Sequence, residues 1–275
     1  MNTVLPDFFA LLERSTGIAL DLSKTYLVEA RLAPLARREG APSVTALVRE
    51  LNRQPPGALH REAFEALSTH ETSFFRDPHC FAQIERIILP ELIAKKSVDR
   101  SLRIWSAAAS TGQEAYSVAM LLREALPDLD RWQIRIHATD FSQTALNKAK
   151  AAHYLAHEVS RGLDEPRIAR FMNRVADGYV IKPEVRALVR FERLNLIEPW
   201  PAMAYFDLIL LRNVLIYFSP TTRTRVLAHM HKSLHPVHGV LLLGSTEMIP
   251  VGQPFTITQL DRLSFYRPYQ GNERS

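Results

Sequence analysis

The chain has 275 residues, 47% hydrophobic and 23% charged, with a formal net charge of +5. That is a globular composition, large enough for one big domain or a main domain with a satellite, and it excludes an intrinsically disordered chain. No stretch approaches the roughly 20 apolar residues that cross a bilayer, and the single cysteine, Cys80, excludes an internal disulfide or a cysteine-rich zinc site.

The N-terminal stretch "MNTVLPDFFALLERSTG" lacks the basic start and apolar core of a secretory signal, so the expected location is the cytoplasm. Residues 1–69 balance their charges and read as helical. "DFFALLERSTG" carries Phe8, Leu11 and Leu12 at helical spacing and stops at Gly17. "DLSKTYLVEARLAPLARREG" places Leu22, Tyr26 and Leu27 on one side and stops at Gly40, with Pro34 expected to kink or divide it. "PSVTALVRELNR" opens on a Ser43 cap, and "QPPG" is a turn. The basic excess lies in 70–275, mixed with acids and without a basic run, which gives nucleic-acid binding little support.

From about residue 101 the pattern becomes alternating strand and helix. "LRIWSAA" is a strand followed by the loop "STGQE" and the helix "AYSVAMLLREAL". "QIRIHATDFS" is a second strand, with Ile134, Ile136 and Ala138 on one face, and "SQTALNKAKAAHY" a helix capped by Ser142. A helical stretch around 164–175 precedes the strands "LVRFERLNL" and "FDLILLRN"; "TTRTRVLAHMHKSL" is a helix and "GVLLLGSTE" a strand. This alternation predicts an α/β fold with a doubly wound, mostly parallel sheet, and "QPFTITQLDRLSFYRPY" an antiparallel edge hairpin.

One stretch raises a question. In "YFDLILLRNVLIYFS" an apolar strand runs into Arg212 and Asn213 before apolar residues resume, and a buried guanidinium is costly unless paired. Ligands of doubly wound sheets sit beyond the carboxyl ends of the strands, where strand order reverses. A strand ending at Leu211 therefore puts Arg212 and Asn213 at the rim of such a crevice. The small residues of "SAAASTGQEAYS" let a backbone approach a ligand at a helix start, and Asp140, ending the second strand, is placed to accept from ribose hydroxyls or to cap a helix. "HETSFFRD" is not a zinc-protease motif, since Phe74 stands where the second histidine is needed. His229, His231, His235 and His238 crowd one region, and His153 and His157 are a turn apart, but no acidic or thiol partner completes a site, so no metal is expected. No G-x-S-x-G elbow appears.

The stretches "HETSFFRD", "LRIWSAAASTGQEAYSVAM", "ATDFSQTAL", "FERLNL", "FDLILLRNVLIYF" and "GVLLLGSTE", in this order, resemble the chemotaxis receptor methyltransferases, the CheR family of protein-glutamate O-methyltransferases. The resemblance implies a Rossmann-like domain over 70–275 that binds S-adenosylmethionine and releases S-adenosylhomocysteine. It also implies a small all-helical receptor-docking domain over 1–69, and a small β insertion near 176–192. It assigns cofactor binding to His70, Thr72, Arg76, Glu114, Asp140, Asn195, Leu196, Arg212 and Asn213, and catalysis to Arg76, Tyr217 and Arg212. His70 stands where the family usually has asparagine, and Ala109, Gln113 and Ala115 vary the loop wording but keep its size.

The implied function is transfer of methyl groups to glutamate side chains on the cytoplasmic methylation helices of chemoreceptors, without membrane insertion. The rivals are a methyltransferase for another acceptor and a non-catalytic cofactor sensor. No N/D-P-P-Y motif follows the fourth strand, where "RNVLIY" stands, which argues against amino methylation of nucleic acid. Lys24, Arg31 and Arg38 recur every seven residues, either as one face toward acidic receptor helices or as a solvated face.

Overall fold

Helix formation begins with apolar stripes. The computed structural model describes residues 3–260 and 263–269. Helix α1 (Leu5–Thr16) buries Leu5, Phe8, Phe9 and Leu12, and α2 (Thr25–Arg38) buries Val28, Leu32 and Leu35. α3 (Val44–Arg53) starts where the Ser43 hydroxyl accepts from the Ala46 amide and buries Val44, Leu47, Val48 and Leu51. α4 (Ala58–Leu67) closes this core with Ala63, Phe64 and Leu67.

The helix runs through Pro34 undivided, which leaves only the kink of the two alternatives, and the expected apolar face of α2 needs correction. Its inward stripe is Val28, Leu32 and Leu35, while Leu22 and Tyr26 are exposed, because the helix starts only at Thr25 and packing selects the i, i+4, i+7 row. The basic row is also partly spent inside the domain. Arg31 donates to the Leu67 and Ser68 carbonyls at 2.7 and 2.8 Å, capping the C-terminus of α4, and Arg38 pairs with Glu39 and Glu62.

A linker leads to α5 (Pro78–Gln83), which continues through a π-helical turn into α6 (Leu89–Lys95). The second half then alternates: β1 (Ser101–Ala107), α7 (Gln113–Ala125), β2 (Gln133–Asp140), α8 (Gln143–Ala151), β3 (His153–Tyr154), α9 (Ala156–Val159), α10 (Glu165–Phe171), β4 (Met172–Val175) and β5 (Gly178–Ile181). There follow α11 (Pro183–Arg186), β6 (Val189–Arg193), β7 (Leu208–Leu211), α12 (Pro220–Ser233), β8 (Val240–Leu243), β9 (Phe255–Leu260) and β10 (Leu263–Pro268).

Seven strands form one sheet in the order β6-β2-β1-β7-β8-β10-β9. The first five are parallel, and β10 and β9 are the expected antiparallel edge pair. Every residue of β7 and β8 is buried, as expected of strands covered on both faces. From β1 the chain adds β2 and β6 on one side, then returns to add β7 and β8 on the other. The order therefore reverses between β1 and β7, whose last residues, Ala107 and Leu211, are paired.

The small antiparallel sheet, β3-β5-β4, lies over His153–Ile181 rather than 176–192. Of that segment only Gly178–Ile181 joins it, and Val189–Arg193 belongs to the main sheet. The stretch 164–175 likewise stops being helical at Phe171. Strands of two to four residues carry too little alternation to be told from a helix end.

Gly112 precedes α7 with φ 95°, and a Cβ there would stand 2.9 Å from the Ala149 Cβ and 3.1 Å from the Tyr154 hydroxyl. Gly112→Ala is expected to destabilise by about 2–4 kcal/mol in urea unfolding. Gly40→Ala, with φ 70° and nothing within 4 Å, isolates the backbone strain and should lose only about 1 kcal/mol.

Candidate active site

A cleft lies beyond the carboxyl ends of β1, β2 and β7, roofed by the helical domain. His70, Thr72, Arg76, Glu114, Asp140, Asn195, Leu196, Arg212, Asn213 and Tyr217, from five separated stretches of sequence, all border it. The backbone here is unusual. Among the described residues seven non-glycine positions have positive φ, and five of them, Phe75, Asp77, Ala108, Ser110 and Asn213, lie in the loops around this cleft. Such conformations cost about 1–3 kcal/mol each and gather where a site over-determines the chain.

Arg212 is not stranded. Its guanidinium donates to Glu114 Oε2 at 3.0 Å and to the Arg76 carbonyl at 2.7 Å, and lies 3.8 Å from Asp77 Oδ2. It also sits 5.4 Å over the Phe81 ring. The other Glu114 oxygen accepts from the Ser106 hydroxyl at 2.7 Å. The Arg212 side chain is only 2% exposed, and its Nε has no acceptor among the described residues. Beside it, burial pushes the Cys80 thiol up to about 11, so this cysteine is no nucleophile.

Asp140 ends β2 with each carboxylate oxygen accepting one backbone N–H, Oδ2 from Ser110 at 2.8 Å and Oδ1 from Ser142 at 2.9 Å. Each oxygen keeps a lone pair for a further donor. Burial pushes its carboxyl above the ordinary carboxylate range, against the lowering pull of the Ser142 and Ser110 amides. It braces two loops while facing the cleft, and the cap of α8 falls to Ser142, whose hydroxyl accepts from the Ala145 amide, instead of to Asp140.

The remaining side chains divide by what they touch. Arg76 donates from one terminal nitrogen to the Glu71 carbonyl at 2.6 Å. Asn195 reaches across the domain boundary, donating to the Ser15 carbonyl at 2.8 Å and to Glu198 at 3.0 Å. Leu196 is buried, with Leu194 and Phe141 completing an apolar wall. Tyr217 lies in a turn whose carbonyl accepts the Ala19 amide at 2.8 Å, and its hydroxyl has no partner among the described residues.

Sequence reasoning did not identify the contribution of the helical domain to this cleft. Thr16, Ile18, Leu20 and Leu27 form its roof, and no local pattern distinguishes them from ordinary core residues. It also gave no role to Glu247, and it took Ser106 only as a small loop residue, whereas Ser106 lies in β1 and its hydroxyl holds Glu114. Of the crowded histidines, His229 packs on Trp200 and His231 on Phe255, while His235 stacks on His238 at 3.5 Å and His238 meets Asp207 at 2.7 Å. No group of three or more side chains placed to hold a metal ion occurs among the described residues.

Comparison with known proteins fits this geometry. Residues 70–263 match the model of the CheR methyltransferase SAM-binding domain, and residues 5–68 that of the CheR all-alpha domain. Chemotaxis protein methyltransferase Cher2 of Pseudomonas putida is 36% identical, covering 90% of this chain and 91% of that protein. Chemotaxis protein methyltransferase 1 of Pseudomonas aeruginosa is 38% identical, covering 88% and 89%. The chemotaxis protein methyltransferase of Vibrio anguillarum is 40% identical, covering 88% of each chain.

The acceptors and the apolar wall of the cleft fit S-adenosylmethionine: Asp140 would have lone pairs left for ribose hydroxyls, Glu114 would meet an ammonium group, and Leu194, Leu196 and Phe141 would pack on adenine. A carboxylate that accepts two hydroxyls must be ionised. Cofactor affinity measured by calorimetry is therefore expected to fall as pH drops through the raised Asp140 value, and to lose that dependence in Asp140→Asn. Near neutral pH, Asp140→Ala is expected to weaken binding by about 1–3 kcal/mol.

Proposed function

The chain belongs to the CheR methyltransferase family, and from that premise we propose that it converts glutamate side chains of chemoreceptors to methyl esters. It is an S-adenosylmethionine-dependent methyltransferase of chemotaxis. We place methyl transfer in 70–275 and receptor docking on the helical 1–69, with the reaction in the cytoplasm. No helix among the described residues is long and apolar enough to cross a membrane.

When bound, the cofactor supplies an electrophilic methyl group on a sulfonium. A glutamate carboxylate is already ionised at neutral pH, so the protein need not supply a general base. Its task is to hold the attacking oxygen in line and to exclude water. The observation that carries the reading is a division of labour between two arginines. Arg212 is committed to Glu114 and to the Arg76 carbonyl. Arg76 is tied only through one terminal nitrogen, which leaves guanidinium donors for an acceptor carboxylate. The unpartnered Tyr217 hydroxyl is the second donor. Arg212 then acts at the cofactor end, by fixing Glu114, with Thr72, His70, Asn195, Leu196 and Asn213 bordering the same ligand.

The test mixes purified protein with methyl-labelled S-adenosylmethionine and receptor-containing membranes from the same organism, and counts label released as volatile methanol after mild base. Base-labile label on receptors is expected. Cofactor binding without such label would overturn the reading in favour of another acceptor or a sensor. In the same assay Arg76→Ala is expected to slow transfer by about 100-fold while cofactor affinity changes far less. Equal losses in both would move Arg76 to cofactor binding.

A further inference from the structure

We propose that Glu247 is a positioning residue for methyl transfer, which acts by setting the turn that presents Tyr217. Glu247 is buried and lies in the loop after β8, outside the cleft lining. Its carboxylate accepts three backbone amides. Oε2 takes those of Asn213 at 2.6 Å and Gly244 at 2.8 Å, and Oε1 takes that of Ile216 at 3.2 Å. Two of these belong to the segment after β7, so the carboxylate ties the ends of β7 and β8 together, one strand over from the switch point between β1 and β7.

The contact is tight and costly to build. No cation pairs with Glu247 among the described residues, so amides alone carry the charge of a buried carboxylate. A Cβ on Gly244 would fall 2.7 Å from both Glu247 Oε2 and Asn213 Nδ2. Asn213 is held left-handed at φ 57°, and the turn that follows places Tyr217 against the cleft. A hydrophobic contact would brace this loop with no charge to desolvate. What the carboxylate adds is direction, because it fixes three N–H vectors and with them the path from Arg212 to Tyr217.

The proposal rests on Tyr217 serving the transfer, and the experiment separates the two. In Glu247→Gln the amide oxygen keeps the Asn213 and Gly244 bonds, while the amide nitrogen faces the Ile216 N–H, donor to donor. Hydrogen exchange on the full chain is expected to quicken at Ile216 and Tyr217 and to stay unchanged in β7 and β8. The transfer rate kcat is expected to fall about 10- to 100-fold, with S-adenosylhomocysteine affinity by calorimetry within about threefold. Glu247→Gln combined with Tyr217→Phe is expected to be no slower than Tyr217→Phe alone, since both act through one hydroxyl. Multiplied losses in the double variant, or an unchanged rate in Glu247→Gln, would overturn the proposal. An unchanged rate in Tyr217→Phe alone would instead sink the role given to Tyr217. Should Glu247→Gln not fold, Glu247→Asp shortens the same clasp while leaving the carboxylate charge in place, and is expected to give the same pattern.

Discussion

A single buried guanidinium ties the cleft together. Arg212 follows the last residue of β7, and its donors reach Glu114 on α7 and the Arg76 carbonyl on the linker before α5. Glu114 in turn is held by Ser106 on β1. Four stretches, far apart in sequence, are thereby fixed relative to one another at the point where strand order reverses. Losing one partner of such a pair typically costs about 3–5 kcal/mol, because the other charge stays buried. The same desolvation that makes the pair expensive makes its geometry stiff, and stiffness is what in-line transfer asks of a site.

The helical domain is part of this construction and not an appendage. The Ala19 amide donates to the Tyr217 carbonyl, Ile18 pairs with Phe218 as an antiparallel bridge, and Asn195 donates to the Ser15 carbonyl. The connection between α1 and α2 thus forms one wall of the cleft. Arg31 secures the other end by capping α4 just before the chain passes His70 and Thr72. An event at the helical domain has a short physical route to the turn that carries Tyr217, through this backbone bridge and through the Tyr217 side chain, which packs on the helical core.

Charge in the cleft is arranged with little redundancy. Asp140 uses one lone pair of each oxygen on backbone amides and keeps the others toward the cleft. Arg212 spends both terminal nitrogens on protein acceptors and leaves Nε without one among the described residues, while Arg76 spends only one terminal nitrogen. The left-handed residues Ala108 and Ser110 keep the loop after β1 low without glycine at those positions, which small side chains allow at a modest cost.

Much of this protein was legible from local pattern. Apolar runs such as "LILL" and "VLLL" marked strands buried on both faces, the strand-helix alternation implied the doubly wound sheet, and a charge directly after such a run marked the end of a strand at a crevice. Those features depend on residues near one another in the chain, where period and composition carry the information. Tertiary structure decided the rest. Whether Pro34 interrupts a helix, which face of α2 turns inward, and where the short strands of the small sheet begin all depend on what packs against them. The partner of Arg212 lies 98 residues away in sequence and that of Glu247 lies 31 or 34 away. No local pattern distinguishes a buried charge that will find its partner from an exposed one that needs none, because the energy that decides between them exists only once the chain has folded around both.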